Sequence, residues 1–431
     1  MFRTLIDAFK NKDIRKKIFI TLGLLLIFRL GCWIPVPGLN PETFKSAVGT
    51  EGQTFLQLLS GISGGALSQG ALLALGVSPY ISASIIVQLL AMAIPPLERL
   101  SKQGEEGRKK LANITKWTTL LLGLAQATGI VVAFGESGLK NVFMGAPIWI
   151  TGACVVLILT AGSMFTYWLG EKITEVGIGN GVSLLIFVGI LSTAATQFYA
   201  SLKTAFTSNI DELWQILIFL VVLILIFALI VMMDGAERKV KVQYAKQIKG
   251  RKMYGGQSTF IPIRMMGTGV MPIIFAMSFL SFPQIIMSIV APTSDASKWY
   301  STYMGAGSWV YSVVVGLLIL FFAYFYASMS FNPEDVSKQI QSNGGFIPGT
   351  RPGKPTADYL RKISNRITLF GAIFLAFIAI VPTLVFKAIG SGGLINAFSA
   401  TGMIIVVGVA LEVNKQLEQQ LLLKNYRGFL K

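Results

Sequence analysis

The 431-residue chain contains no histidine, which removes imidazole metal sites, histidine-based catalytic triads and histidine proton relays together. It has only two cysteines, Cys32 and Cys154, both inside apolar runs, so neither a disulfide framework nor a cysteine-rich metal centre is available. Charge is equally scarce: 13% of residues are Asp, Glu, Lys or Arg, against roughly 25% in soluble proteins. With 53% hydrophobic residues and a mean hydropathy of +0.65, that deficit excludes an ordinary cytosolic enzyme. A net charge of +17 would suit a soluble nucleic-acid binder, but such a protein is not this apolar. No Gly-x-x-x-x-Gly-Lys-Ser/Thr occurs, and Gly177-Ile178-Gly179-Asn180-Gly181 lacks the strand and helix context of a phosphate loop. The chain is therefore expected to have no catalytic residue, no metal and no cofactor.

What it has instead is long apolar runs. A membrane-crossing helix needs about 20 largely apolar residues to span about 30 Å of hydrocarbon. Ten runs qualify, at about 18–37, 71–94, 117–134, 148–168, 182–200, 213–233, 265–290, 308–330, 367–386 and 396–411. Ten crossings put both termini on one side, and basic residues mark that side as cytoplasmic. The segments on the terminus side carry 31 basic and 14 acidic residues; the five opposite loops carry one lysine each, Lys45, Lys140, Lys203, Lys298 and Lys387, with 6 acidic residues. The remaining basic residue, Arg29, lies near the outer end of span 1, where its stem is expected to snorkel toward water. The +17 is thus concentrated on one face.

Ion-coupled carriers place carboxylates, histidines or buried lysines within their spans. Here the spans hold none, and their polar content is hydroxyl and amide: Ser78, Ser82, Ser84, Gln88, Gln126, Ser183 and Gln284. Such groups bond helix to helix without fixing a charge, as structural glue or at an interface that parts. Residues 38–70 contain an apolar, Gly-rich stretch too short to cross, so it either lies on the lipid surface or enters a protein-lined cavity. The basic loops 234–264 and 331–366 suit anionic lipid, positive-inside retention, or an acidic or phosphate-bearing partner.

Several ordered motifs resemble the SecY family of bacterial protein-conducting channels. They are Phe28-Arg29-Leu30-Gly31 leading to Ile34-Pro35-Val36-Pro37-Gly38; Gly64-Gly65-Ala66-Leu67 and Ala74 to Ile85; Gly177 to Gly181; Tyr244-Ala245-Lys246 to Gly255-Gly256-Gln257-Ser258-Thr259; and Gly344 to Gly353. The resemblance implies an all-α polytopic membrane protein with ten transmembrane helices, in two five-helix halves around an hourglass pore with a re-entrant plug helix. In those terms residues 1–200 form the first half, with the plug at about 58–70 including Ile62, Ser63, Gly64, Gly65, Ala66, Leu67 and Ser68. Residues 201–212 form the hinge loop, 213–411 the second half and 412–431 a cytoplasmic tail. No five-plus-five repeat is visible, so the two halves rest on the resemblance alone.

The resemblance also implies site residues. A pore ring falls on Ile81 and Ile85, Ile186 and Ile190, Ile274, and Ile405. Pairs spaced by four share a helix face, β-branched side chains make a stiff collar, and an apolar constriction excludes water and ions by dewetting. A lateral gate between spans 2, 3, 7 and 8 falls on Ser82, Gln88, Gln126, Met266 and Thr268. Met266 stands where the family usually carries Asn, and Gln88 and Thr268 are expected to substitute in part for the lost polar contact. Arg238, Lys239, Lys246, Arg251, Lys252 and the turn residue Arg351 are expected to dock the motor ATPase SecA or ribosomal RNA. SecE and SecG are the implied small partners, signal sequences and translocating polypeptides the clients, and membrane lipid the surroundings. The implied place is the bacterial cytoplasmic membrane, multi-pass, and the implied role a passive pore rather than an enzyme. A secondary transporter of a small solute is the competing reading, supported only by ten spans in two similar-sized halves.

Overall fold

The computed structural model describes residues 2–49, 60–61, 63–140, 147–207, 211–244, 247–249, 252–254, 258–265, 271–290, 294–304, 308–389 and 400–428. Each apolar run carries a helix: span 1 Lys12–Gly31, span 2 Ser78–Ala93, span 3 Glu105–Phe134, span 4 Ile148–Val176, span 5 Gly181–Thr207, span 6 Asp211–Asp234, span 7 Met271–Val290, span 8 Trp309–Ser330, span 9 Lys354–Ile389 and span 10 Ala400–Gly428. Among the described residues, five stretches are long and apolar enough to cross a membrane unaided: Ile148–Val176, Gly181–Phe206, Ile216–Asp234, Trp309–Ser342 and Lys354–Pro382. Trp149, Trp214 and Trp309 stand exposed at the N-terminal ends of spans 4, 6 and 8, a position that suits indole rings at the edge of a bilayer.

Several helix ends differ from the apolar runs, for physical reasons. Span 2 begins at Ser78 rather than 71, because Gly70 and Gly76 adopt φ of 60° and 52° and hold the preceding segment in turns. Pro79 then sits in the first turn, where its missing N–H costs nothing. At the other end Pro95 and Pro96 break the chain, and Pro95–Ser101 turns away by 107°. Spans 3, 9 and 10 run well past their apolar limits into charged sequence. The expected tail 412–431 is helical to Gly428 as a continuation of span 10, and Lys415 pairs with Asp234 of span 6 at 2.6 Å. Of the expected hinge 201–212, residues 201–207 are the last turns of the span 5 helix and 208–210 lie outside the described residues.

The largest departure is at the two long basic loops. Residues 234–264, expected as a basic loop, form strands β1 (Glu237–Tyr244), β2 (Gln247–Lys249), β3 (Lys252–Tyr254) and β4 (Ser258–Arg264). The cause is a period of two: Val240 and Val242 are buried while Lys239 and Lys241 are exposed. β1 pairs antiparallel with β4, Glu237 opposite Arg264 through Gln243 opposite Ser258. On its other edge lies β5 (Gly345–Phe346), contributed by the second basic loop. The apolar face of this sheet packs on Ile340, Ile347 and Leu360, so the two loops form one body at the end of the helical bundle.

The main core lies inside that bundle. It gathers Phe28 of span 1, Ile85 of span 2, Leu185 of span 5, Phe219 of span 6, Phe275 of span 7, Phe322 of span 8, Leu375 of span 9 and Ile404 of span 10. A second cluster joins Ala127 and Ile130 of span 3 to Val155 and Leu159 of span 4.

Candidate plug, pore and gate

The Gly-rich stretch after residue 60 is seated among the spans rather than on the lipid surface. Ser63, Gly64, Ala66 and Leu67 are buried; Ala66 belongs to the main core and Leu67 to the cluster of spans 3 and 4. Gly64 and Gly65 adopt φ of 70° and 83°, and the turn closes through Gly65 N–H to the Ser60 carbonyl at 2.7 Å. Ile62 lies outside the described residues. Gly65 and Ser68 are half-buried, and the Ser68 hydroxyl donates back to the Gly65 carbonyl. The return toward span 2 is tied to the end of span 1: Val36 N–H donates to the Gly70 carbonyl and Leu72 N–H to the Ile34 carbonyl, both at 2.8 Å.

Three carbonyls of this segment accept from side chains of neighbouring spans. Arg29 Nη1 donates to Gly64 at 2.8 Å, Cys32 Sγ to Ser63 at 3.5 Å, and Thr193 Oγ1 to Gly61 at 3.5 Å. Arg29 therefore does not reach out to water as its position near the end of span 1 suggested; its guanidinium turns inward onto the plug. Hydropathy and length place the residue but carry no sign of its partner.

The six ring isoleucines come from four different helices and all belong to the main core of the bundle. Ile81, Ile85, Ile186, Ile274 and Ile405 are buried, each between 2 and 8% exposed, and the half-buried Ile190 packs against that core, which also holds Ala66. Helical spacing turns Ile81 and Ile85, and Ile186 and Ile190, to one side of spans 2 and 5. The start of span 5 is fixed by Asn180, whose Oδ1 accepts from Val182 N–H and Ser183 N–H. Ile178 N–H donates to Thr21 of span 1 and Gly181 N–H to Thr174 of span 4. A Cβ at Gly181 would lie 2.0 Å from the Gly170 carbonyl oxygen. The motif that fails as a phosphate loop is thus the packing joint of spans 1, 4 and 5.

At the gate, Gln88 finds a partner that sequence reasoning missed. The Tyr326 hydroxyl of span 8 donates to Gln88 Oε1 at 2.7 Å, and Gln88 Nε2 donates to Ser84 Oγ at 2.9 Å. The Tyr326 ring stacks on Phe275 of span 7, with centroids 4.7 Å apart and planes at 17°. A tyrosine inside an apolar run counts as apolar in a hydropathy scan, but its hydroxyl needs a partner when buried, and that was the available signal. Ser82 and Gln126 are buried, and Gln126 Oε1 has no hydrogen-bond partner among the described residues. Met266 and Thr268 lie outside the described residues.

On the body formed by the two basic loops Arg238 and Lys239 are exposed on β1, and Lys239 pairs with Glu237 at 3.4 Å. Lys246 and Arg251 lie outside the described residues, while Lys252 opens β3. Arg351 is exposed in a turn whose main chain is fixed on both sides. The Thr356 hydroxyl donates to the Arg351 carbonyl at 2.8 Å, Ser337 to the Gly353 carbonyl at 2.7 Å, and Gly349 and Gly353 take φ of 83° and 94°. Among the described residues no cluster of Cys, Asp or Glu gathers to hold a metal ion.

Comparison with known proteins is consistent with this geometry. The SecY family model matches residues 71–414. The chain is 39% identical over 453 residues to the protein translocase subunit SecY of Mycobacterium tuberculosis, covering all of both chains. It is 40% identical over 436 residues to that of Thermotoga maritima, covering all of this chain and 98% of the other. Among solved structures it superposes on a protein-conducting channel with a TM-score of 0.67 at 18% identity, over 94% of this chain and 91% of that one. Sec61 in the canine ribosome-channel complex gives 0.62 at 16% identity with the same coverage.

Proposed function

The chain belongs to the SecY family, and on that premise we propose how its parts divide the labour of a protein-conducting channel. It is a multi-pass membrane protein and a protein translocase subunit. The six isoleucines form the constriction, the segment at about 58–70 the plug, and the seam between spans 2, 3, 7 and 8 the lateral gate, with Ser82, Gln88, Gln126, Met266 and Thr268 along it. The halves 1–200 and 213–411 move about 201–212.

The observation that supports this reading is that isoleucines from spans 2, 5, 7 and 10 are all turned into the main core that also contains Ala66 of the plug. An aliphatic collar dewets when empty and so blocks ions. It also offers no group that would hold a passing sequence, which a conduit for arbitrary polypeptides requires. Because the interior supplies neither ion-binding acids nor a nucleotide site, the channel is passive, without catalytic activity. Its energy comes from SecA or an elongating ribosome docked on Arg238, Lys239, Lys246, Arg251, Lys252 and Arg351. SecE and SecG complete the complex in a bacterial cytoplasmic membrane, with both termini in the cytoplasm.

A secretory chain stalled in transit tests the reading. Cysteine placed at position 85 or 186 is expected to crosslink to the stalled chain, whereas cysteine at the lipid-facing Leu121, which is exposed, is not. No crosslink at either ring position, together with uptake of a small solute, would instead establish a carrier.

A further inference from the structure

The geometry points to Arg29 as the catch that holds the plug in its seat, gripping it by the main chain rather than by any plug side chain. This rests on the reading of residues about 58–70 as a plug.

A guanidinium within an apolar span is expensive unless its donors are satisfied. The partner here is not an acid but the carbonyl of Gly64, 2.8 Å from Nη1, and a hydrogen bond with one ionised member is roughly twice as strong as a neutral one. Gly64 fits its seat from both sides. A Cβ there would lie 2.7 Å from Arg29 Nη1 and 3.1 Å from the Gly189 Cα of span 5, and φ is +70°. The backbone conformation disfavours any side chain at this position, and a Cβ would also press on Gly189 and displace the Arg29 guanidinium. Cys32 and Thr193 add longer contacts to the flanking carbonyls of Ser63 and Gly61. All three donors belong to the first half, so among the described residues these bonds fasten the plug to spans 1 and 5.

A catch of this kind has two properties. It reads backbone, so the bond itself does not depend on plug side chains provided Gly64 remains, while Ala66 and Leu67 add their own packing in the two cores. It also weakens when the funnel hydrates, because water can then take over both the guanidinium and the carbonyl, whereas in a dry seat breaking the bond strands a buried acceptor. Closure and drying therefore reinforce each other.

The test uses the assembled translocase in proteoliposomes, with three readouts: ion leak, export of a reporter with a weakened signal sequence, and amide exchange of residues 63–70. Arg29→Met keeps the length of the side chain and removes the donors; it should raise the unseated fraction of plug about tenfold or more, seen as leak and as loss of amide protection. Arg29→Lys, with a point charge in place of the fork, should fall between. Gly64→Ala leaves Arg29 intact and should act in the same direction, which decides the matter if Arg29→Met fails to assemble. Deletion of residues 60–69 is the reference. If the deletion leaks and neither Arg29→Met nor Gly64→Ala does, the catch is wrong and the plug stands. If the deletion itself is silent, the plug reading fails with it.

Discussion

The proposed plug and the proposed gate seam are held by different parts of the chain. The plug is fastened through main-chain carbonyls, to donors on spans 1 and 5, and through main-chain bonds to the end of span 1. The seam between spans 2 and 8 carries a side-chain bond from Tyr326 to Gln88, set in apolar and aromatic packing. Main-chain attachment makes these bonds independent of the plug's side chains but sensitive to a substituent at Gly64, while Ala66 and Leu67 add side-chain packing of their own. Side-chain attachment makes the seam adjustable by single substitutions, each small. A channel that must stay sealed yet part for many different signal sequences gains from both.

The comparison breaks most severely where the plug connection crosses span 4. A Cβ at Gly162 would lie 2.1 Å from the Leu72 carbonyl oxygen, so no rotamer relieves the clash. Gly162→Val should cost roughly 3 kcal/mol by overpacking and remove most assembled protein from the membrane, as measured by yield and by melting temperature in detergent. Gly23→Ala is the control, since nothing lies within 4 Å of that position. Equal loss in both variants would show that close main-chain approach is not what distinguishes the plug side.

The body formed by the two basic loops extends the same division, with main chain fixed and a side chain left free to act. Thr356 and Ser337 hold the turn through the carbonyls of Arg351 and Gly353, while the Arg351 guanidinium projects outward from a Gly-rich turn and offers planar, forked donors. Arg351→Glu should abolish motor-dependent secretion and leave stability within about 0.5 kcal/mol, as for other surface changes. Normal secretion by that variant in a SecA-driven assay would remove Arg351 from the docking surface, and a fall in melting temperature would assign it to the fold instead.

How much of this is legible in the sequence depends on which interactions leave a one-dimensional trace. Apolar runs locate all ten spans because lipid imposes a minimum length on them. Hydropathy misses the ends of spans 3, 9 and 10, since a helix continues into water for as long as something packs against it, as Lys415 does on Asp234. The alternation Lys239-Val240-Lys241-Val242 is a plain strand signal, yet it reads as a basic loop when charge is counted and periodicity is not. The isoleucines of the ring are indistinguishable from dozens of other apolar residues without the family motifs. Arg29 and Tyr326 are visible as residues; their partners, a carbonyl 35 positions away and an amide 238 positions away, are products of the fold.

The smallest expected effect is the most informative about the seam. Tyr326→Phe keeps the ring on Phe275 and removes only the hydroxyl, so it subtracts the bond to Gln88 and little else. One such bond in a membrane protein contributes on the order of 0.6 to 1 kcal/mol, which converts to about a threefold to fivefold shift between closed and parted seams. Export of a reporter with a weakened signal sequence should rise by that factor. Gln88→Leu should match it, because the same bond is lost from the other side. The double variant should then exceed neither single variant by much, as two changes that remove one shared interaction are not additive. Full additivity would mean that Tyr326 and Gln88 act on separate partners. No change in any of the three would leave the seam to apolar packing alone, and the contrast with the carbonyl-held plug would then lie between polar and apolar closure rather than between two ways of using hydrogen bonds.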